Sequence, residues 1–362
     1  MIDPRNYSPE EVEALLARVG ATPTVSRRLL SLVVGRGIFD PATWMKDHQI
    51  SRRICDEVGI LPRLTLQTSY ISPADGFQKL VFQTLDGLKI ETVIIPLHKS
   101  GAVSLCLSSQ VGCAMGCIYC ATAKMAQRRN LATWEIIDQL IQAREIAQAQ
   151  GRRVTGAVFM GMGEPFLNYE RVLAAAELMR CPYGASIRGK AITISTVGLV
   201  PEIDRFTRES RKFRLSISLG AATDEKRARL VPVAGRTSIQ EVIAAARRYA
   251  EDRRDRVMLA YVCVGGVNCG EEDARALGSL IGDMPVRLDL IDVTDPSGEL
   301  TPPSDTELKN FRDHLTRHLG QPVVRRYSGG RDIAAACGML AGADGIANPI
   351  PPRSEPTLTV IS

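Results

Sequence analysis

Residues 106–124 read CLSSQVGCAMGCIYCATAK, and this stretch organises the rest of the chain. Cys113, Cys117 and Cys120 form a C-x3-C-x2-C spacing, which lets three thiolates converge on one small inorganic group. The intervening glycine and alanine residues allow the backbone to turn tightly around it. Since a four-iron cluster has four positions for ligands, three thiolates predict a cluster that keeps one iron open to a ligand from outside the protein.

Two other interpretations of the triplet stay open at this point. The first is a zinc knuckle, and the second is a chance clustering of cysteines. Structural zinc sites use four protein ligands, and the next Cys or His residues upstream are Cys106 and His98.

Length, composition and charge restrict the class of protein. With 362 residues, 45% of them hydrophobic, the chain predicts one large domain and a smaller accessory one. No apolar run reaches membrane-spanning length, and the N-terminus MIDPRNYSPEE lacks a signal-peptide pattern, so we expect a cytoplasmic protein that does not bind a membrane. Nine cysteines, three of them clustered, favour metal-binding and redox thiols over structural disulfides. The net charge of +5 permits an anionic partner.

The chain divides into four predicted segments. A helical accessory domain covers residues 1–62, where Ser8 and Glu11 form a capping-box pattern. A β-hairpin extension covers residues 63–98, with Asp86-Gly87 at its turn. A barrel with a C-terminal cysteine loop covers residues 99–345, and a flexible tail covers residues 346–362.

The barrel segment alternates strand and helix patterns. This alternation predicts an α/β fold with a parallel sheet, curled into a partial or full (β/α) barrel. The predicted strands are Val103–Leu107, Val154–Met160, Ala191–Thr196, Phe213–Leu219, Val257–Val264, Val286–Asp292 and Val323–Tyr327. The predicted helices are Trp134–Gln148, Tyr169–Met179, Ile239–Arg253, Glu271–Ile281 and Asp305–His318. Because barrel chemistry lies at the carboxyl ends of the strands, the cysteine loop after the first of these strands is placed at the expected site.

Further polar motifs follow neighbouring strands. MGMGEP, with Gly163 and Glu164, follows the second strand and offers close backbone approach and a carboxylate for an amino group. Ser195 closes the third strand, and Ser218-Leu219-Gly220 closes the fourth, where hydroxyls are able to bind a ribose or a carboxylate. Taken singly, each of these hydroxyls is more often a strand-end cap, and the Gly-Glu-Pro turn alone is a weak signal.

The segments CLSSQVGCAMGCIYCATA, MGMGEP, ITISTVGLVP, LSISLGAATDEKRARLVPV and DIAAACGMLAG occur in this order. Together they resemble the radical S-adenosylmethionine (radical SAM) RNA adenine C-methyltransferase family, which includes an adenine-C2 methyltransferase of ribosomal and transfer RNA and its adenine-C8 relative. The resemblance covers roughly residues 50–345. It implies a partial radical SAM barrel, a [4Fe-4S] cluster and S-adenosylmethionine (SAM) as cofactor.

The resemblance also implies roles for particular residues. Cys113, Cys117 and Cys120 match the cluster ligands. The SAM contacts match Gly163, Glu164, Ser195, Ser218, Leu219 and Gly220, with Thr294 at the position of a SAM-contacting Asn. Cys337 matches the cysteine that becomes S-methylcysteine, and Cys106 matches the cysteine that forms a transient disulfide with it. Glu91 matches the acid–base glutamate. The chain departs from the family at Gly220, where a His is usual, and at Thr294.

The expected function is therefore methylation of an adenine ring carbon, C2 or C8, with two SAM per turnover. The expected partners are RNA, with ribosomal RNA favoured over transfer RNA, and an external electron donor to the cluster; we expect a monomer. Two alternatives are kept. One is a radical SAM enzyme that modifies a peptide or small molecule, and the other is a non-catalytic iron–sulfur or zinc module that binds RNA.

Overall fold

Helices occupy the N-terminal part of the chain in the computed structural model, which describes residues 1–233, 237–295 and 297–341. Four helices follow one another: α1 (Pro9–Ala17), α2 (Pro23–Leu30), α3 (Pro41–His48) and α4 (Arg52–Val58). The Ser8 hydroxyl accepts the amide of Glu11 and the Glu11 carboxylate accepts the amide of Ser8, which confirms the predicted capping box. Among the described residues, no helix combines the length and apolar character needed to cross a membrane.

Antiparallel strands come next and form one side of the main sheet. They are β1 (Thr65–Ile71), β2 (Gln78–Gln83), β3 (Lys89–Pro96) and β4 (Ala102–Cys106). The turn between β2 and β3 contains Gly87 at φ +81°, a left-handed conformation that glycine adopts without strain. The hairpin predicted from Asp86-Gly87 is confirmed, with Val81 opposite Glu91.

Parallel strands continue the same sheet from β4 onward. They are β7 (Arg153–Phe159), β8 (Ile192–Thr196), β9 (Arg214–Ser218), β10 (Val257–Cys263), β11 (Val286–Asp292) and β12 (Val323–Arg325). Within the described residues the sheet has ten strands in the order β1-β2-β3-β4-β7-β8-β9-β10-β11-β12. Since β1 and β12 are its two edges, the sheet is curled but open, as a partial barrel requires.

Helices connect the parallel strands and cover the outer face of the sheet. They are α5 (Thr133–Ala149), α6 (Tyr169–Arg180), α7 (Val200–Arg208), α8 (Asp224–Leu230), α9 (Ile239–Arg253), α10 (Glu271–Ile281) and α11 (Asp305–Leu319). Because both faces of the central strands are covered, every residue of β8 is buried. The predicted α/β architecture is confirmed.

A small ribbon frames the cysteine loop. It pairs β5 (Gln110–Val111) with β6 (Arg129–Asn130) and so closes residues 112–128 into a loop beside the carboxyl end of β4. The tail predicted at residues 346–362 lies outside the described residues.

Candidate active site

A cavity of about 150 Å³ opens at the carboxyl ends of the parallel strands. It is where the topology brings the ends of β7, β8, β9 and β11 together with the cysteine loop. Most of the predicted site residues line it, namely Cys113, Cys117, Cys120, Gly163, Glu164, Ser195, Ser218, Thr294 and Cys337. The sequence spreads these residues over more than half of the chain, so the fold alone assembles them.

The three cysteines face the cavity from a tightly curved loop. Gly112 and Gly116 both have positive φ, +62° and +70°, which lets the loop turn twice within five residues. Burial raises the pKa of Cys113 to about 12, and it raises the pKa of Cys117 further, with the neighbouring cysteines adding to both shifts. Without a metal these thiols are protonated at neutral pH, and binding iron would displace their protons.

The arrangement of the thiols distinguishes a cluster from a single ion. Among the residues that the structure describes, no three His, Cys, Asp or Glu side chains form a group able to hold one metal ion. Tetrahedral zinc needs its sulfurs about 2.3 Å from one centre. On an iron–sulfur cluster each thiolate binds a different iron, so three thiols spaced around a cavity fit that donor set.

The MGMGEP segment forms the wall next to the cysteine loop. Gly163 has φ +102°, and a Cβ atom built on it would lie 2.8 Å from the backbone nitrogen of Gln110. The Glu164 carboxylate accepts backbone amides of Val197 (2.9 Å) and Phe166 (3.0 Å). Burial nevertheless raises the pKa of Glu164 to about 7. A carboxylate fixed in this way, at the edge of the cavity, is suited to accept a bond from a ligand amino group.

Hydroxyl groups line the cavity at the ends of the next strands. Ser195 in β8 and Ser218 in β9 both face it, as does Thr294, two residues beyond β11. Leu219 and Gly220 do not line this cavity. Their carbonyl oxygens accept hydrogen bonds from Arg227 (2.5 Å) and Asn268 (3.1 Å), respectively. Their assignment to SAM binding therefore stays a prediction that rests on the resemblance.

Cys106 and Cys337 meet in a second, smaller cavity of about 70 Å³. Cys337 lines both cavities, so it stands between the three cysteines of the C-x3-C-x2-C loop and Cys106. Burial raises the pKa of Cys106 to about 12, the nearby Cys337 adds to the shift, and the guanidinium of Arg326 opposes it. That guanidinium is held by Met160, whose sulfur lies 2.9 Å from the Arg326 Nη1 atom.

The segment that carries Cys337 is tied to its surroundings on both sides. The Ala121 amide donates to the Gly338 carbonyl (2.7 Å), and the Cys337 amide donates to the Ser328 hydroxyl (2.9 Å). The Thr294 hydroxyl also donates to the Cys337 carbonyl. In the structure the Cys337 thiol is half-buried, because this segment packs on the cysteine loop.

Glu91 lies beneath the same segment, in β3. Its side chain is 1% exposed, so this carboxylate does not face solvent. Its Oε1 atom lies 3.5 Å from the Lys79 ammonium, and its Oε2 atom accepts the Ala341 amide (3.2 Å). Glu91 does not line either cavity, so its acid–base role stays a prediction.

Sequence reasoning missed the inward roles of two basic residues. Lys79 was not singled out, although the hairpin register places it diagonally opposite Glu91 and the Asp86-Gly87 turn was sufficient to deduce that register. Arg326 faces Cys106, a role for which sequence reasoning gave no signal. No pattern in the sequence separates it from its neighbour Arg325, which pairs with Asp292 at 2.8 Å.

Several known proteins are similar to this chain in sequence. The radical SAM superfamily profile matches residues 107–277. A probable RNA methyltransferase of Myxococcus xanthus is 44% identical over 98% of this chain and 99% of its own length. A dual-specificity RNA methyltransferase RlmN of Syntrophotalea carbinolica is 34% identical over 94% of this chain and 90% of its own length.

A solved structure shows the same fold. The crystal structure of a radical SAM methyltransferase from Sphaerobacter thermophilus superposes with a TM-score of 0.86 at 33% identity, covering 95% of this chain and all of that one. The match therefore extends beyond the barrel to the N-terminal helices and the strands of the hairpin. Because identity above 30% extends over nearly the whole length of these relatives, this chain belongs to the radical SAM superfamily and, within it, to the family of RlmN-type RNA methyltransferases.

Proposed function

We propose that this protein methylates a ring carbon of adenine in RNA, C2 or C8, and that Cys337 carries the methyl group on the way. The relatives named as RNA methyltransferases support the substrate class. The observation that supports the relay is the position of Cys337, which lines both the cavity of the cluster cysteines and the cavity of Cys106. A module that only binds RNA has no use for a second thiol at that place.

The chemistry of adenine explains why a relay is needed. C2 and C8 are electrophilic carbons, and the methyl group of SAM is itself an electrophile, so direct transfer between them is unfavourable. A cysteine thiolate is a competent nucleophile toward that methyl group. Cys337 therefore accepts a methyl group from one SAM molecule and becomes S-methylcysteine.

Different residues of the cavity would bind the cluster and SAM. Cys113, Cys117 and Cys120 would hold three irons of a [4Fe-4S] cluster. Gly163, Glu164, Ser195, Ser218 and Thr294 offer backbone and hydroxyl or carboxylate contacts to SAM around the open position. When bound and reduced by an external electron donor, the cluster and a second SAM supply the radical that removes a hydrogen atom from the methyl group.

Release of the product then depends on Cys106 and a base. After the carbon radical on the Cys337 sulfur has bonded to the adenine, the adduct still carries one unpaired electron, which it would return to the oxidised cluster; Cys337 is then joined to RNA through a methylene bridge. The sulfur of Cys106 bonds to the sulfur of Cys337, and the bond between that sulfur and the methylene carbon breaks. Its electron pair stays with the methylene, which takes up a proton to become the methyl group. Glu91 is proposed to accept the ring proton lost in this step.

The decisive experiment measures modified nucleosides. The protein is reconstituted anaerobically and incubated with deuteromethyl-labelled SAM, a reductant and either ribosomal or transfer RNA, and the RNA is digested for mass spectrometry. We expect labelled 2-methyladenosine or 8-methyladenosine, and none with Cys337→Ala. Labelled product from Cys337→Ala would overturn the relay. SAM cleavage without labelled RNA, together with labelling of a peptide or small molecule, would overturn the substrate class.

A further inference from the structure

One face of the antiparallel strands carries three chemically active side chains. Lys79 in β2 lies opposite Val93 in β3, and Val93 lies opposite Cys106 in β4. Directly opposed residues of antiparallel strands share a face, and so do residues two positions apart in one strand. Lys79, Glu91 and Cys106 therefore all point to the side of the sheet that the Cys337 segment covers.

The amine and the carboxylate hold that segment at both ends. The Lys79 ammonium donates to the carbonyl of Ala334 (3.4 Å), three residues before Cys337. The Glu91 carboxylate accepts the amide of Ala341 (3.2 Å), four residues after it. Since the two side chains are themselves 3.5 Å apart, they form one continuous polar unit beneath Cys337.

This pair is buried to a degree that stability alone does not explain. Lys79 is 2% exposed and Glu91 is 1% exposed, and the ammonium also lies 5.6 Å from the centre of the Tyr70 ring. Removing two charges from water is costly, and well-packed hydrophobic residues of similar size usually stabilise a protein at least as well.

We propose that Lys79 is the positioning residue for Glu91. Its ammonium fixes the carboxylate oxygen atoms beneath the Cys337 segment, in position to accept the ring proton while the Cys106–Cys337 disulfide forms. This inference rests on the proposed function, since it concerns the release step of that reaction. It separates two stages: methylation of Cys337 needs no base at Glu91, whereas release of the product does.

The test compares Lys79→Met, Lys79→Arg, Glu91→Gln and the double variant Lys79→Met/Glu91→Gln. We expect each of the variants other than Lys79→Arg to methylate Cys337 normally and to accumulate a covalent protein–RNA adduct on denaturing gels. Loss of a general base typically lowers a rate by 100-fold or more, so release should slow by about 100-fold. Lys79→Arg, which keeps the positive charge, should retain most of the wild-type release rate. The double variant should release product at the rate of Glu91→Gln, because the effects of two residues that act through one proton transfer are not additive.

Lys99→Met is the matched control, an exposed lysine between β3 and β4. Release at the control's rate from Lys79→Met would overturn the inference. So would loss of Cys337 methylation in Lys79→Met, or an additive double variant, because either shows a purely structural role. If Lys79→Met does not fold, Lys79→Gln carries the same expectations. If the wild-type protein itself never methylates Cys337, the proposed function fails rather than this inference.

Discussion

Burial and the nearby guanidinium of Arg326 act in opposite directions on the pKa of Cys106. Because its pKa is raised to about 12, the side chain is a thiol at neutral pH, and only the thiolate is nucleophilic. A thiol well below its pKa gains about tenfold in thiolate per pH unit. We therefore expect iodoacetamide to alkylate Cys106 about ten times faster at each higher pH unit between 7 and 9, as measured by peptide mass spectrometry.

Arg326→Gln should slow that alkylation at every pH. The guanidinium favours the thiolate, so its removal raises the pKa of Cys106 still further and lowers the thiolate fraction. Arg326→Lys keeps the positive charge, so it should lower the alkylation rate of Cys106 less than Arg326→Gln does. Arg325→Gln is the control, because the neighbouring guanidinium pairs with Asp292 and lies outside the Cys106 cavity. An unchanged alkylation rate in Arg326→Gln would show that Arg326 does not act on this thiol.

The three cysteines of the C-x3-C-x2-C loop should each be indispensable to the cluster. Each thiol would bind a different iron, so the loss of any one of them would leave that iron without its protein ligand. Cys113→Ala, Cys117→Ala and Cys120→Ala should therefore lose both bound iron and 5′-deoxyadenosine formation. Cys181→Ala, a change at a free cysteine in another part of the fold, should keep both. Full iron content in any of the three variants would contradict the ligand assignment.

At the scale of elements, the turn at Gly163 connects β7 to the cavity wall. A Cβ atom at this position would lie within 2.6–2.8 Å of Gln110 atoms, at a φ of +102° that other residues rarely adopt. We expect Gly163→Ala to displace the MGMGEP segment, to destabilise the protein by about 1–3 kcal/mol and to weaken SAM binding. Titration calorimetry measures the change in SAM affinity, and thermal unfolding measures the loss of stability.

Gly151→Ala is the matched control for this turn. Gly151 also has positive φ, +70°, but nothing lies within 4 Å of a Cβ atom built on it. This substitution should therefore add only backbone strain of about 1–2 kcal/mol and leave SAM affinity unchanged. If both variants bind SAM like the wild type, the close packing of Gly163 on Gln110 does not shape the SAM site.

Strong periodic elements could be predicted from the sequence, and weakly patterned ones could not. Each predicted barrel strand was found, and α9 and α10 match to the residue, because buried apolar runs and capping residues mark them. β1 was missed, since it is a largely exposed edge strand with little apolar alternation. α8 was missed, since its seven residues are mostly charged and only Arg227 and Leu230 are buried.

The site residues also differ in how well the sequence predicts them. Residues in dense local motifs, such as the cysteine loop and MGMGEP, were identified before the fold was known. The bond between the Cys337 segment and Glu91, by contrast, joins residues 250 positions apart in the sequence. No local pattern encodes such a contact, nor the contact of the Arg326 guanidinium with Cys106. The resemblance supplied Glu91, but only the structure shows what holds it.

At the scale of the whole molecule, affinity for RNA should depend on salt. With a net charge of +5, even about 4 phosphate contacts to a single strand make log affinity fall with log salt at a slope near −3. An unpaired loop should bind better than a duplex, since adenine C2 and C8 must be reached outside a stack. Equal affinity for both, flat in salt, would contradict RNA as the substrate.

The structure indicates which Lys and Arg side chains are available to bind RNA phosphates and so to contribute to this salt dependence. Lys190 pairs with Asp255 at 3.5 Å, so it is largely compensated. Arg128 is exposed beside the cysteine loop, bonds to the Ala123 carbonyl and has no carboxylate partner among the described residues. We expect Arg128→Gln to reduce the steepness of the salt slope by about 0.7, the share of one phosphate contact on a single strand, and Lys190→Gln to leave it unchanged. An unaltered slope in Arg128→Gln would remove this residue from the interface.

The N-terminal helices are joined to the barrel by a buried arginine. Arg5 is fully buried; its guanidinium lies 3.4 Å from the Asp138 carboxylate of α5 and donates to the carbonyl of Pro62 (2.6 Å). It also lies 5.2 Å from the ring centres of Phe39 and Trp134. One side chain thus contacts the helical segment, the connection to β1 and the helix that follows the cysteine loop.

Arg5→Met should therefore loosen the N-terminal helices from the barrel. Removing one partner of a buried ion pair leaves the other charge poorly compensated, and the loss is typically about 3–5 kcal/mol. We expect the lower end, because Arg63 still pairs with Asp138 at 3.4 Å, and the Leu64 amide and Gln142 still donate to it at 2.8 Å. Urea unfolding should become two transitions, with the helices lost first. Arg27→Met, which removes an exposed pair with Glu13, should unfold like the wild type. A single transition at the wild-type midpoint in Arg5→Met would show that packing alone joins the two parts.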